Sequence, residues 1–375
     1  MNTGVADIPA AVRAQFFARV VAWQRAYGRH DLPWQGTRDP YRVWLSEIML
    51  QQTQVRTVLG YYARFLQRFP TVQALADASL DEVLALWSGL GYYSRARHLH
   101  ACARVVVAQY GGRFPAGAEA LATLPGIGTS TAAAIAAFCF GERRSILDGN
   151  VRRVLSRVLA DAGDPARAAA QRGLWAAAQA LVPPEAAPDD MAAYTQGLMD
   201  LGATVCTRSR PRCDACPVAA LCAGRASGDP TAWPRRAPRA ARRTEAWCLP
   251  LYQRADGAWW LQRRPPRGIW AGLWAPPVLA AAEGLASWLQ DHPGVRADWP
   301  AAFTHALTHR DLRLQPVVCR LPCGSDASTA PSAPGVEPDQ GAWCLPSEAL
   351  ALGLPAPVRV WLQNLASDSR ISSSR

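Results

Sequence analysis

The 375-residue sequence predicts a multidomain protein, a large all-α part followed by a smaller α+β part. Three observations predict this. Up to about residue 225, apolar residues recur at three- and four-residue spacing, as in Val151, Val154, Leu155, Val158 and Leu159, which is the period of a helix that buries one face. Residues 226–243, ASGDPTAWPRRAPRAARR, then hold three Pro and five Arg, a poor helix and a poor strand, so they read as a linker. Beyond the linker, apolar runs become short and strand-like and are bounded by turn residues.

The elements follow in order. MNTGVADIPAAVRAQFFARVVAW has no basic start leading into an unbroken apolar run, so it reads as a helix and not as a secretory signal. No segment approaches the ~20 apolar residues of a membrane span, and a cytoplasmic protein is expected. Glycine- and proline-bearing turns, SGLGYYS and LPGIG, punctuate the helical part, 1–225. In the second domain, 244–365, AWCLPLYQ and AWWLQRR flank Arg254–Gly257 as a hairpin, LRLQPVVCRL is a strand and LAAAEGLASWLQ a helix. The stretch 324–340 is expected to be a mobile loop and 366–375 a frayed tail. No internal repeat is present.

The 40 basic residues outnumber the 29 acidic ones, for a formal charge of +11. Such an excess suits a polyanion, nucleic acid first, although a basic proteome would give the same balance. Every basic residue is Arg and none is Lys. The guanidinium fork suits phosphate, while the chain lacks any side-chain amine for Schiff-base chemistry.

Ten Cys in a reducing compartment point to ligands or core residues. Cys206, Cys213, Cys216 and Cys222 form C-x6-C-x2-C-x5-C over 206–222. Four thiolates this close can hold zinc or an iron–sulfur cluster, and having only one close pair favours a 4Fe–4S cube over zinc. Arg208, Arg210 and Arg212 stud the first ligand loop, either as a phosphate-binding surface or as ordinary solvated charge.

Two carboxyls stand out. Glu47 lies among Trp44, Leu45, Ile48, Met49 and Leu50, a setting that disfavours the carboxylate and raises its pKa, as a general acid requires. Asp148, in ILDGNV, reads first as the N-cap of the helix from Val151, a position that can also hold an anion at a site. LPGIG can be a plain helix-joining turn or a hairpin whose Gly126 and Gly128 amides point at a phosphate.

LPGIGTSTA, ILDGNV and the cysteine spacing together resemble the endonuclease III superfamily of DNA glycosylases. LPWQGTRDPYRVWLSEIMLQQTQV, LWSGLGYYSRAR and MDLGATVCTRSRPRC are similar to its adenine DNA glycosylase (MutY) branch. The resemblance spans essentially the whole chain and is strongest from 33 to 222. It implies a helix–hairpin–helix glycosylase domain with a 4Fe–4S loop and a Nudix-like domain. It implies removal of adenine mispaired with 8-oxoguanine or guanine in double-stranded DNA, leaving an abasic site. Glu47 would protonate a ring nitrogen of the flipped base, Asp148 would stabilise the sugar cation, and Asn150 would position water or the sugar. Gln51, Gln52, Thr53 and Tyr92 would enter the stack around the mispair. Superfamily members that also cut the strand carry a Lys where this chain has Ser130. Ser130 is therefore expected to be an active-site contact in an enzyme that removes the base only. The acidic Nudix box is missing, with only Glu283 and Asp291 near its place, too few carboxylates to hold Mg. Phe303–Thr304–His305 resembles the 8-oxoguanine-recognition loop, with Thr at the usual Ser. A nucleoid-associated monomer is expected. A strand-cutting glycosylase–lyase and a non-enzymatic iron–sulfur DNA-binding module are the alternatives.

Overall fold

The computed structural model describes residues 8–164, 167–235, 242–322 and 330–372. In chain order the helices are α1 (Ala10–Tyr27), α2 (Pro40–Leu50), α3 (Val55–Arg68), α4 (Val72–Asp77), α5 (Leu80–Trp87), α6 (Ser94–Tyr110), α7 (Ala118–Leu121), α8 (Thr129–Phe140), α9 (Gly149–Val158), α10 (Ala168–Ala180), α11 (Pro188–Asp200) and α12 (Ala223–Ala226). Next come β1 (Arg243–Gln253), β2 (Trp259–Arg263), β3 (Trp274–Ala275), α13 (Glu283–Asp291), β4 (Arg296–Asp298), β5 (Phe303–Ala306), β6 (Arg310–Arg320), β7 (Gly341–Cys344), α14 (Pro346–Ala351) and α15 (Ala356–Ser372). Contacts divide the chain into a helical unit, 1–76 with 101–239, and a sheet unit, 77–100 with 240–375. Among the described residues no helix is long and apolar enough to cross a membrane.

One core of the helical unit gathers residues from five helices. Phe16 and Val20 of α1, Ala134 of α8, Val151 and Leu155 of α9, Ala178 of α10, and Tyr194 and Leu198 of α11 pack in a single cluster. This is the helical periodicity read from the sequence, realised in three dimensions. At the end of α11 the backbone widens into a π turn, Leu201–Val205. There Gly202 meets α9 so closely that a Cβ would lie 2.6 Å from the Asn150 Cβ, so only glycine permits that approach. The first part of the expected linker is folded: α12 ends at Ala226, a 3-10 turn spans Pro230–Ala232, and the Trp233 carbonyl accepts from Arg157 Nε at 3.1 Å. Residues 236–241 of that linker lie outside the described residues.

The sheet unit holds a seven-stranded mixed sheet, ordered β3-β2-β1-β6-β4, with β7 also paired to β2 and β5 to β6. β1 and β6 run parallel in register from Arg243↔Arg310 to Gln253↔Arg320. Residues 247–252 of β1 are buried without alternation, as expected of a central strand covered on both faces. Leu285, Trp288 and Leu289 of α13 pack against Cys248, Tyr252, Trp260 and Val317 of the sheet. The chain excursion 77–100 belongs here: Ser88 Oγ and Tyr93 Oη both donate to the Leu354 carbonyl at 2.9 Å, and Asp81 pairs with Arg263. Two expectations need correction. Ala330, Ala333 and Val336 of the expected mobile loop pack on the sheet core, while 324–329 lie outside the described residues. Residues 366–372 of the expected frayed tail continue α15, while 373–375 lie outside the described residues.

Candidate active site

Glu47 is set by the start of α2. Asp39 caps that helix by accepting from the Tyr41 N–H at 2.9 Å, and Pro40 takes the first helical position. Two turns on, Glu47 stands between buried Trp44, Ile48 and Met49 and opens on a cleft of about 460 Å³ whose walls include Leu32, Trp34, Val55, Gln196 and Met199. Its carboxyl is enclosed by protein but keeps one side on the cleft. Burial first, and the Asp148 charge second, push its pKa up to about 8, so at neutral pH it holds a proton.

Asp148 caps α9 by accepting from the Val151 N–H at 2.8 Å. Burial pushes its pKa upward, while the Val151 and Asn150 N–H groups and the Arg153 and Arg152 charges pull it down. Two bonds fix its neighbourhood. Ser130 Oγ, in the first turn of α8, accepts from the Leu147 N–H at 3.1 Å. Asn150 Oδ1 accepts from Arg153 Nη2 at 2.8 Å. Gln51 Nε2 donates to Thr131 Oγ1 at 3.4 Å, joining the end of α2 to the same turn of α8.

The turn before α8 holds Gly126 at φ +77°, a conformation that demands glycine. Gly128 is exposed, has open space where a Cβ would sit, and caps α8 without any side-chain bond. The first N–H groups of a twelve-residue helix are thus left without a side-chain partner, as an anion site requires. Gln52 is exposed and left-handed at φ 58°, a conformation that is uncommon for a residue other than glycine.

Cys206, Cys213, Cys216 and Cys222 line one small cavity with Val154, Val158 and Val218. As placed, among the described residues, no three His, Cys, Asp or Glu side chains close on a single metal ion. Two of the sulfurs take N–H bonds, Cys206 Sγ from Arg157 Nη1 at 3.3 Å and Cys222 Sγ from the Arg225 N–H at 3.4 Å. Burial pushes the Cys216 thiol up to about 12. An apolar chamber lined by four cysteines, with N–H donors to two of the sulfurs, has the chemistry that a cluster of thiolate-held iron needs. The chamber is tied to the carboxyl site through α9. Buried Arg157 donates to the Thr207 and Arg208 carbonyls, each at 2.7 Å, and Arg153 reaches the Cys206 and Gly202 carbonyls at 2.8 and 2.7 Å. Arg208, Arg210 and Arg212 are exposed on the loop, and Arg212 also donates to the Thr204 carbonyl at 2.8 Å.

The sheet unit carries a second constellation. Tyr92 is left-handed at φ 49° and 44% exposed. The guanidinium of Arg95 lies over both its ring and that of Trp87, at 5.5 and 5.2 Å. The Tyr92 hydroxyl is 3.2 Å from Thr308 Oγ1, at the tip of the hairpin closed by the Leu307 N–H bond to the Arg310 carbonyl at 2.8 Å. Tyr92, Arg97, Trp270, Thr308 and His309 line a cavity of about 520 Å³. Phe303, Thr304 and His305 are instead inside β5, paired with Leu314, Arg313 and Leu312 of β6. All three line another cavity, with Pro316 and Trp361, and His305 also reaches the first. Burial lowers the pKa of His305. The sequence alone gives Thr308 no place at the site and His309 only an incidental one; the structure sets both beside Tyr92. The available signal was the doubled Thr-His of FTHALTHR.

Residues 45–179 match the family described as HhH-GPD superfamily base excision DNA repair protein, and residues 248–364 match the NUDIX domain family. The chain is 38% identical to the adenine DNA glycosylase of Homo sapiens, over 81% of this chain and 66% of that protein. It is 34% identical to that of Buchnera aphidicola subsp. Baizongia pistaciae, over 80% of this chain and 85% of the relative. Among solved structures, a thermostable thymine-DNA glycosylase matches with a TM-score of 0.51 at 29% identity, covering 58% of this chain and 98% of that one.

Proposed function

The chain belongs to the adenine DNA glycosylase family, and from that premise we propose that it hydrolyses the N-glycosidic bond of adenine mispaired with 8-oxoguanine or guanine in duplex DNA. The product is an abasic site on an uncut strand. One observation carries this reading: a carboxyl with its pKa pushed up to about 8 opens on a cleft and feels the charge of a second carboxyl, the one that caps α9.

The flipped adenine enters the cleft between Leu32, Trp34, Val55 and Met199. Protonated Glu47 donates to a ring nitrogen, so that the base leaves neutral. Asp148, whose charge the N-terminus of α9 and Arg153 favour against the burial that raises its pKa, stabilises the cation that develops on the sugar. Asn150 sits beside it to position the sugar or the attacking water. Gly126, Gly128 and the uncapped start of α8 hold a backbone phosphate. Gln51, Gln52, Thr53 and Tyr92 support the opened stack. Thr308 and His309, beside Tyr92, join Phe303, Thr304 and His305 as the groups offered to the opposite base. The four cysteines would hold a 4Fe–4S cluster, Arg157 ties the Arg-bearing loop to α9, and Arg208, Arg210 and Arg212 meet phosphate there. No Schiff base forms on a side chain, because the chain contains no Lys.

The test is a single-turnover assay on a labelled duplex with adenine opposite 8-oxoguanine, run on a denaturing gel with and without hot alkali. A band only after alkali is expected. A band without alkali that a Glu47→Gln control lacks would overturn the base-only reading. Binding with no band under either condition would leave a DNA-binding module.

A further inference from the structure

Tyr92, the aromatic wedge of the proposed mechanism, stands in a turn built from positive-φ residues: Gly89 at φ 102°, Gly91 at φ 73° and Tyr92 itself at φ 49°. A tyrosine keeps that conformation only where its surroundings over-determine it. Part of the support comes from the turn's own segment. Trp87 Nε1 donates to the Gly91 carbonyl at 3.0 Å, and Nη2 of buried Arg95 donates to the Leu90 and Gly91 carbonyls at 3.3 and 3.2 Å.

The rest comes from the chain leading into α15. The Leu354 carbonyl has two lone pairs. It accepts from Ser88 Oγ and from Tyr93 Oη, each at 2.9 Å. One donor lies before both glycines and the other directly follows Tyr92, so a single carbonyl draws the two ends of the turn together. Tyr93 Oη also accepts from the Gly89 N–H at 3.4 Å. Ser88 Oγ accepts from Arg359 Nε at 2.7 Å, and Nη1 and Nη2 of Arg359 donate to the Leu350 and Leu352 carbonyls, each at 2.7 Å. The guanidinium fork thus joins the end of α14, the first turn of α15 and the turn of Tyr92. The backbones meet so closely here that a Cβ on Gly353 would lie 2.7 Å from the Leu84 Cβ.

We propose that Arg359, acting through Ser88 and the Leu354 carbonyl, is a positioning residue that holds the Tyr92 turn in its left-handed form, so that the sheet unit supports extrusion of the base as well as reading of its opposite. This inference rests on the base-excision reading and deepens it. Opening a base stack costs free energy, and a wedge offsets that cost only if it does not itself give way. The contact of the Tyr92 hydroxyl with Thr308 Oγ1 steadies the tip of the side chain. The Arg359 clamp steadies the backbone beneath it. Arg suits this work because its planar fork serves several acceptors at once in a fixed geometry.

The experiment is a double-mutant cycle on the full-length protein. Single-turnover adenine release from a duplex with adenine opposite 8-oxoguanine is measured for the unaltered protein, Arg359→Met, Tyr92→Ala and the doubly substituted variant. In parallel, 2-aminopurine beside the target adenine reports unstacking as a rise in fluorescence when the duplex is saturated with protein. Met keeps an unbranched apolar stem and removes the donors. Arg359→Met is expected to slow release about tenfold, as loss of a hydrogen bond from a charged donor can, and to lower the fluorescence rise. With Tyr92→Ala already present, it should cost less than about twofold. An equal cost in both backgrounds would mean that Arg359 supports the fold and not the wedge, and the proposal falls. It falls equally if Arg359→Met leaves rate and fluorescence unchanged. Should Arg359→Met fail to fold by circular dichroism, Ser88→Ala takes its place in the cycle, with the same coupling to Tyr92 expected and its absence overturning the proposal. Duplex binding without adenine release by the unaltered protein would overturn the base-excision reading, and this proposal with it.

Discussion

The C-terminal half of α2 and the N-terminus of α9 each bring one carboxyl to the site and surround it in opposite ways. Around Glu47 the neighbours are Trp44, Ile48 and Met49, and burial is the largest influence on its proton. Around Asp148 burial is again the largest influence and leaves the pKa raised, but two backbone N–H groups and two arginines act against it. Two groups of similar intrinsic acidity thereby meet different surroundings, which on the proposed mechanism suit one to giving a proton and the other to carrying charge. The helix end makes the difference. A carboxyl in mid-helix meets no free amide, whereas one at an N-cap meets several.

Replacing each carboxyl by its amide breaks the comparison most directly. Glu47→Gln removes the transferable proton and is expected to cost about 10³-fold or more in single-turnover rate. Asp148→Asn is expected to cost about 10²- to 10³-fold. Because Asn caps a helix as well as Asp does, that loss reports charge and not folding. Both variants should bind the mispaired duplex as the unaltered protein does, as read by gel shift. If Asp148→Asn fails to bind or melts early, the helix cap is its main role.

The pH profile sharpens the same contrast. Glu47 must be protonated to act, so the rate should hold below pH 8 and fall about tenfold per unit above it. Stability should move in the same direction. The folded-state pKa of Glu47 lies above its unfolded value, so its contribution is fully present below pH 4.5 and is lost as pH rises through about 8. Gln carries no such cost. Glu47→Gln should therefore gain on the unaltered protein between those limits by on the order of a few kcal/mol, read from denaturant midpoints at pH 5 and pH 8.5. A constant gap between the two proteins would mean that Glu47 titrates normally.

Both carboxyls were legible in the sequence because their chemistry is local. Trp44 to Leu50 announces an apolar setting, and Asp148 stands directly before a helical repeat. The cysteine run and the LPGIG turn are local in the same sense. Arg359 was not legible, since its partner Ser88 comes from 271 residues away and nothing near PAPVR marks a distant turn. Residues 77–100 read as one more helical stretch; their bonds to Leu354 and Arg263 place them in the sheet unit. The two Thr-His pairs of FTHALTHR look alike in the sequence, and only strand register decides which of them reaches the hairpin tip. β5 takes Thr304 and His305 into its pairing, while Thr308 and His309 stay exposed beyond it.

The smallest effect tests what holds the α9 side of the comparison in place. The hydroxyl of Ser130 accepts from the Leu147 N–H, one residue before Asp148, so it links the start of α8 to the segment that carries the carboxylate. Ser130→Ala leaves that N–H without its partner, at a cost of about 1 kcal/mol, and lets the cap of α9 shift. The expected result is a rate loss of about tenfold with a lowered melting temperature, both recovered by Ser130→Thr, which keeps an oxygen in reach of the same amide. A loss as large as that of Asp148→Asn, without any change in melting temperature, would show that Ser130 touches the substrate itself. An unchanged rate would mean that α9 alone fixes Asp148, and that the two carboxyls owe their difference to the helix end without help from the hairpin.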